Sequence, residues 1–266
     1  MALLDHLRSA PSAPAGGATM SFLQHLEELR RRIFLAAVGV LLAFFVCFTF
    51  ADPIYGFIEA PMAATLKAHH LTQRLVYFNP VDPFNLYVEL GLICALFLAS
   101  PWILYQVWAF IRPGLLPRER RYVIPFVFCT SALFVAGGAF AYLYAFPLVL
   151  NFLVGYAHRF TPEININEYF NLFSTVVLGV GIVFELPTLI FFLSLFGLTN
   201  ARWLWKNFRY AILGAFVLAA AITPTADITT MTVFAAPLIG LYALGIGIAW
   251  LVGKRRNTRR QAASAE

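Results

Sequence analysis

Six stretches of the chain are almost free of charge: residues 33–50, 84–105, 122–146, 169–196, 208–222 and 228–252. A helix needs about 20 residues to cross a hydrocarbon core of roughly 30 Å, so runs of this length predict membrane-spanning helices. Every backbone N–H and C=O must find a partner inside lipid, which favours helices over open strands. Turn signals separate the runs: Asp52-Pro53, Asn79-Pro80 with Asp82-Pro83, Pro113-Gly114, Thr161-Pro162, Thr199-Asn200 and Thr223-Pro224. The predicted fold is an all-α integral membrane protein with six transmembrane helices. The fifth run has 15 residues, about 22 Å of helix, and only a short turn separates it from the sixth. A short fifth and sixth span under a locally thinned bilayer is expected. The alternative is a fifth span extended into the interface by Trp203–Trp205.

Composition sharpens this picture. Of 266 residues, 61% are hydrophobic and 12% charged, and the mean hydropathy is +0.76. Soluble domains are nearer half apolar and a quarter charged. Residues 1–20 are rich in Ala, Pro, Ser and Gly and lack the apolar core of a signal peptide. They are expected to be a disordered extension before a membrane domain over 21–252 and a basic tail over 253–266.

A net charge of +6 would invite nucleic acid in a soluble protein, but in a membrane protein it first reports topology. Arg8, Arg30–Arg32, Arg112, Arg118, Arg120, Arg121, Arg202, Lys206, Arg209, Lys254–Arg256, Arg259 and Arg260 fall on one side, and Lys67, Arg74 and Arg159 on the other. Sixteen basic residues against three place both termini in the cytoplasm, with no nucleic-acid partner expected.

Few residues carry chemistry. Cys47, Cys94 and Cys129 all lie in apolar runs, an odd number without metal spacing, and read as small hydrophobes. There is no phosphate-binding loop, no Ser–His or Asp–Asp pair at membrane depth and no paired intramembrane His. Neither an enzyme nor a resident cofactor or metal is expected.

Before the first span, Ser21–Arg32 reads as a short helix, with Ser21 and Gln24 at capping-box spacing and Glu27–Arg31 and Glu28–Arg32 as i,i+4 pairs. Phe22, Leu26, Leu29 and Ile33 form an apolar stripe suited to the membrane surface or another helix. The segment is either a solvated topology signal or a docking surface whose carboxylates meet a basic ligand. After the second span, Pro113, Gly114 and Pro117 break the helix, and Trp108 and Phe110 belong at interfacial depth. Glu119 stands alone among Arg112, Arg118, Arg120 and Arg121, as an internal ion pair or as a receptor for a guanidinium. Glu185, in mid-span beside Pro187, either satisfies kinked backbone, contacts a polar partner helix or responds to protons. Gly137, Ala141 and Ala145 offer a small-residue packing face. A proton-coupled carrier and a membrane assembly factor both remain compatible with these features, although the absence of an internal repeat weakens the carrier.

His25-Leu-Glu-Glu-Leu-Arg-Arg-Arg32 resembles the TatC family, core subunits of the twin-arginine protein translocase, as does Ser100-Pro-Trp-Ile-Leu-Tyr-Gln-Val-Trp-Ala-Phe110 running into Pro113-Gly-Leu-Leu-Pro-Arg-Glu-Arg-Arg121. Phe184-Glu-Leu-Pro187 and Ile222-Thr-Pro-Thr-Ala-Asp227 continue the resemblance, which spans about residues 20–252. It implies a receptor for twin-arginine signal peptides that exports folded proteins across a bacterial-type cytoplasmic membrane under the proton-motive force. Glu28 and Glu119 would meet the two arginines, with Phe110 in the same site. Glu185 would help to contact single-span TatA- or TatB-type subunits, and other copies of the chain are further implied partners. The sequence departs from the family pattern at Glu89, where a Lys is common, and at Ala243, where an acid is common.

Overall fold

The computed structural model describes residues 22–71, 75–112, 123–156, 160, 163–223 and 227–263. Among them the structure is helical apart from connections and an isolated bridge between Val76 and Asn165. Helix α1 (Phe22–Thr49) is followed by α2 (Ala51–Ala68), α3 (Asp82–Leu98), α4 (Ser100–Ile111), α5 (Val123–Phe140) and α6 (Phe146–Tyr156). Then come α7 (Ile166–Val183), α8 (Leu186–Leu195), α9 (Ala201–Lys206), α10 (Phe208–Ile222) and α11 (Ile228–Ala263). Among the described residues, four rods (α1, α5–α6, α7–α8 and α11) are long and apolar enough to cross a membrane, and the bent pair α3–α4 makes a fifth. Helix α10 is apolar but shorter.

Proline accompanies the interruption within each of three rods. Helices α3 and α4 meet at 56°. Pro101 has no N–H for the Phe97 carbonyl, and the Ser100 hydroxyl donates to that same oxygen at 2.8 Å. A freed carbonyl in an apolar span is thereby satisfied by a neighbouring side chain. Between α5 and α6, Ala141–Ala145 forms one π turn just before Pro147, and the Phe146 N–H reaches back to Ala141. The wider turn accommodates a residue that cannot donate to Leu143. The predicted kink at Pro187 is a break: α7 ends at Val183, Glu185 N–H closes a tight turn onto Ile182 at 3.0 Å, and α8 starts at Leu186.

The largest core joins α2, α3, α6, α7, α10 and α11, with Leu90, Phe146, Val149, Val176 and Phe234 at its centre. The small-residue face packs as expected. Ala141 and Ala145 are fully buried, and a Cβ on Gly137 would fall 2.7 Å from the Phe184 ring. Large apolar side chains such as Leu42, Phe45 and Phe128 point outward, as a hydrocarbon solvent permits.

Three expectations need correction. The segment 22–32 is not a separate helix, because nothing between Phe22 and Thr49 breaks the rod. The sixth span is not short: Ile228–Gly253 is apolar over 26 residues, and without a turn signal before Lys254 the helix continues to Ala263. The connection after Asp52-Pro53 is an 18-residue helix, α2, which buries Ile58, Met62 and Leu66. Proline is well tolerated in a helix's first turn, so Asp52-Pro53 starts a helix there.

Candidate functional site

Helices α1 and α4 run side by side, and their contacts follow helical spacing. On α1, positions 25, 28, 32, 35 and 39 share one face, three or four residues apart. On α4, positions 102, 106 and 110 do the same. The His25 imidazole stacks on the Phe110 ring, with centroids 4.4 Å apart and planes 22° from parallel. Arg32 Nη1 donates to Gln106 Oε1 at 3.1 Å. One turn deeper, Trp102 Nε1 donates to the Leu35 carbonyl at 2.8 Å.

Near its start, α1 turns Glu28 and Arg32 toward α4, while Glu27, Arg30 and Arg31 stay exposed. Leu26 and Ile33 are exposed, whereas Glu28 and Arg32 are about four-fifths covered. In water the outward Leu26 and Ile33 would be left facing solvent. In lipid an apolar residue loses nothing by facing outward, and polar groups gain by pairing inward.

Of the two expected ion pairs on α1, Glu28–Arg32 forms. Arg32 Nε and Nη2 both lie 2.6 Å from Glu28 Oε1. Among the described residues, Glu27 and Arg31 do not close to ion-pair distance. Glu28 and Phe110 thus sit at adjoining helix ends, linked through His25, Arg32 and Gln106. Glu119 lies outside the described residues, as do Arg118, Arg120, Arg121 and Ser21.

Trp108 leaves the interfacial role expected of it. It is 3% exposed and wedged between Phe126 of α5 and Phe192 of α8, with ring centroids 4.6 Å from each. It ties the α4 end of the site to α8, the helix that Glu185 precedes.

Glu185 is not part of the α1–α4 constellation. It precedes α8 at the break in the α7–α8 rod, and both carboxylate oxygens are buried without a hydrogen-bond partner among the described residues. Thr188 is the polar group that bears on it, short of hydrogen-bond geometry. An unpartnered carboxylate in an apolar bundle is costly unless another molecule or water completes it.

Sequence inspection missed Gln106 and Trp102 as members of the site. Gln106 is 2% exposed, and a lone amide in an apolar helix that runs into the Phe110 loop was the available signal. No group of three or more His, Cys, Asp or Glu able to hold a metal occurs among the described residues.

The family model described as Sec-independent protein translocase protein (TatC) matches residues 24–237. The Sec-independent protein translocase protein TatC of Koribacter versatilis (strain Ellin345) is 55% identical over 248 residues, 93% of this chain and 92% of that protein. Its counterpart in Helicobacter pylori (strain ATCC 700392 / 26695) is 35% identical over 229 residues, 86% of this chain and 87% of that one. A crystal structure described as the twin arginine translocase receptor TatC aligns with a TM-score of 0.72 at 32% identity, covering 86% of this chain and 99% of that one.

Proposed function

The chain belongs to the TatC family of Sec-independent protein translocase proteins, and from that membership we propose that it is a twin-arginine signal-peptide receptor. In this reading it is the core subunit of a translocase that carries folded proteins across the cytoplasmic membrane under the proton-motive force. The observation that carries the proposal is Glu28, a carboxylate held in fixed geometry at the helix end beside Phe110 on a side of the protein otherwise crowded with arginine. A ligand with two guanidinium groups would be repelled by that side unless local carboxylates received it, and carboxylates pair guanidinium groups in charge-assisted fashion.

Glu28 and Glu119 are the proposed acceptors, and Phe110 supplies apolar contact for the peptide. The four long rods, the bent α3–α4 pair and α10 make six spans, and both termini are cytoplasmic by the charge bias. Glu185 is the proposed contact for a single-span TatA- or TatB-type subunit, because a polar group on such a helix would complete its carboxylate. Other copies of this chain and the surrounding lipid are the remaining partners.

The test is export of a folded reporter bearing a twin-arginine leader in cells lacking this chain and in cells given it back. Export should return with the chain and stay absent when both arginines of the leader are lysines. Export without the chain, or equal export of the twin-lysine reporter, would overturn the proposal.

A further inference from the structure

Gln106 is an almost fully buried amide in a helix that beyond Ser100 is otherwise apolar and aromatic. Buried polar atoms require partners, and the partner of its oxygen is Arg32 Nη1, across from α1. The other two nitrogens of the Arg32 fork converge on one atom, Glu28 Oε1. Glu28 Oε2 takes no partner among the described residues. One guanidinium therefore joins two helices and uses half of a carboxylate, leaving the other half without a partner among the described residues.

We propose that Arg32 is the positioning residue of the signal-peptide site: anchored to α4 by Gln106, it holds Glu28 with Oε1 occupied and Oε2 presented to an arriving guanidinium. The inference rests on Glu28 being a docking carboxylate. Two consequences follow from the chemistry. The planar fork is what allows one side chain to bond acceptors on two helices at once, and an ammonium lacks that fixed geometry. In addition, a resident positive charge beside Glu28 raises the cost of seating any further cation there. A single charge is poorly rewarded, and the site favours a ligand that engages a second acid as well.

The experiment uses the full chain in detergent with two fluorescent synthetic leader peptides, one twin-arginine and one twin-lysine. Binding is measured for the wild type, Arg32→Lys, Gln106→Met, the double variant and Glu28→Gln, with thermal melting as a check on folding. Arg32→Lys keeps the charge without the fork, and it carries the test should Gln106→Met fold poorly. Arg32→Lys should weaken twin-arginine binding roughly tenfold and leave twin-lysine binding where it was, so the preference falls by the same factor. Gln106→Met should do the same, and the double variant should lose no more than either single change, because both act through one network.

Tighter twin-arginine binding by Arg32→Lys would make Arg32 a competitor for Glu28 and overturn the positioning role. A lower melting temperature with an unchanged preference would reduce Arg32 to a stitch between helices and overturn it equally. If Glu28→Gln binds the twin-arginine peptide like the wild type, the docking role of Glu28 fails and this inference fails with it. If Glu28→Gln loses binding while Arg32→Lys keeps it, the docking role stands and only the positioning role falls.

Discussion

Gly39 lies directly under the Trp102 indole: a Cβ on Gly39 would fall 2.2 Å from Trp102 Cδ1 and 2.6 Å from Nε1. The same indole donates to the Leu35 carbonyl one turn away. Absence of a side chain at Gly39 is thus what lets α4 approach α1, and the approach sets the distance between Glu28 and Phe110 three turns further along. Gly39→Val should push the indole off Leu35 and splay the helices. Overpacking of this kind costs about 1–3 kcal/mol, to be read as a lower melting temperature in detergent. Trp102→Ala in the same chain should recover part of that loss, and an undiminished melting temperature in Gly39→Val would refute the contact.

The stack of His25 on Phe110 joins the first turns of α1 to the last turn of α4. Ring pairs of this geometry contribute about 0.5–1.5 kcal/mol beyond their buried area. His25→Ala should therefore release Phe110 and weaken twin-arginine peptide binding several-fold, whereas His25→Phe should retain it by keeping an aromatic face. Equal binding by the two variants would show that the ring at position 25 has no part in the site.

Much of the frame was legible in the sequence, and the reason is local. Pro187 announces the opening of its rod, since a missing N–H acts on the carbonyl four residues back, but proline alone does not decide: Pro101 and Pro147 mark the same kind of change, whereas Pro61 and Pro237 sit inside α2 and α11 without ending them. The apolar runs announce which segments are rods. Helix α2 is hidden behind Asp52-Pro53, which reads as a turn signal, although Ile54, Ile58, Met62 and Leu66 recur at a spacing of four. The paired contacts were illegible for a different reason. Arg32 and Gln106 stand 74 positions apart, and no local pattern states which face of α1 meets which face of α4. The stripe of Leu26 and Ile33 pointed away from the answer, because in lipid an apolar stripe need not be the packed one.

Glu119 shares its loop with Arg112, Arg118, Arg120 and Arg121, so an approaching cation meets repulsion everywhere in that loop except at this carboxylate. Glu119→Ala is expected to abolish photocrosslinking of a twin-arginine signal peptide, a drop of at least about tenfold given the cost of losing one partner of a charge pair. The amount of protein inserted in the membrane should not change, because position 119 lies outside the apolar runs and its exchange leaves their hydrophobicity as it was. Crosslinking at the wild-type level would remove Glu119 from the site.

Glu185 presents the opposite situation, a carboxylate with nothing to receive. Both of its oxygens are buried and unpartnered among the described residues, at the point where Pro187 has already opened the α7–α8 rod. Replacing it by glutamine removes an ionisable group from an apolar setting and preserves its shape, so Glu185→Gln should fold and melt no lower than the wild type. If the carboxylate is kept for a partner, the same change should weaken co-purification with a single-span subunit, because a neutral amide binds a polar group on that helix less strongly than a charge does. Glu185→Leu should weaken it further while leaving the bundle intact. Equal recovery of the single-span subunit with all three proteins would mean that the carboxylate serves the α7–α8 break alone, and the partner contact would have to be sought on another face of the bundle.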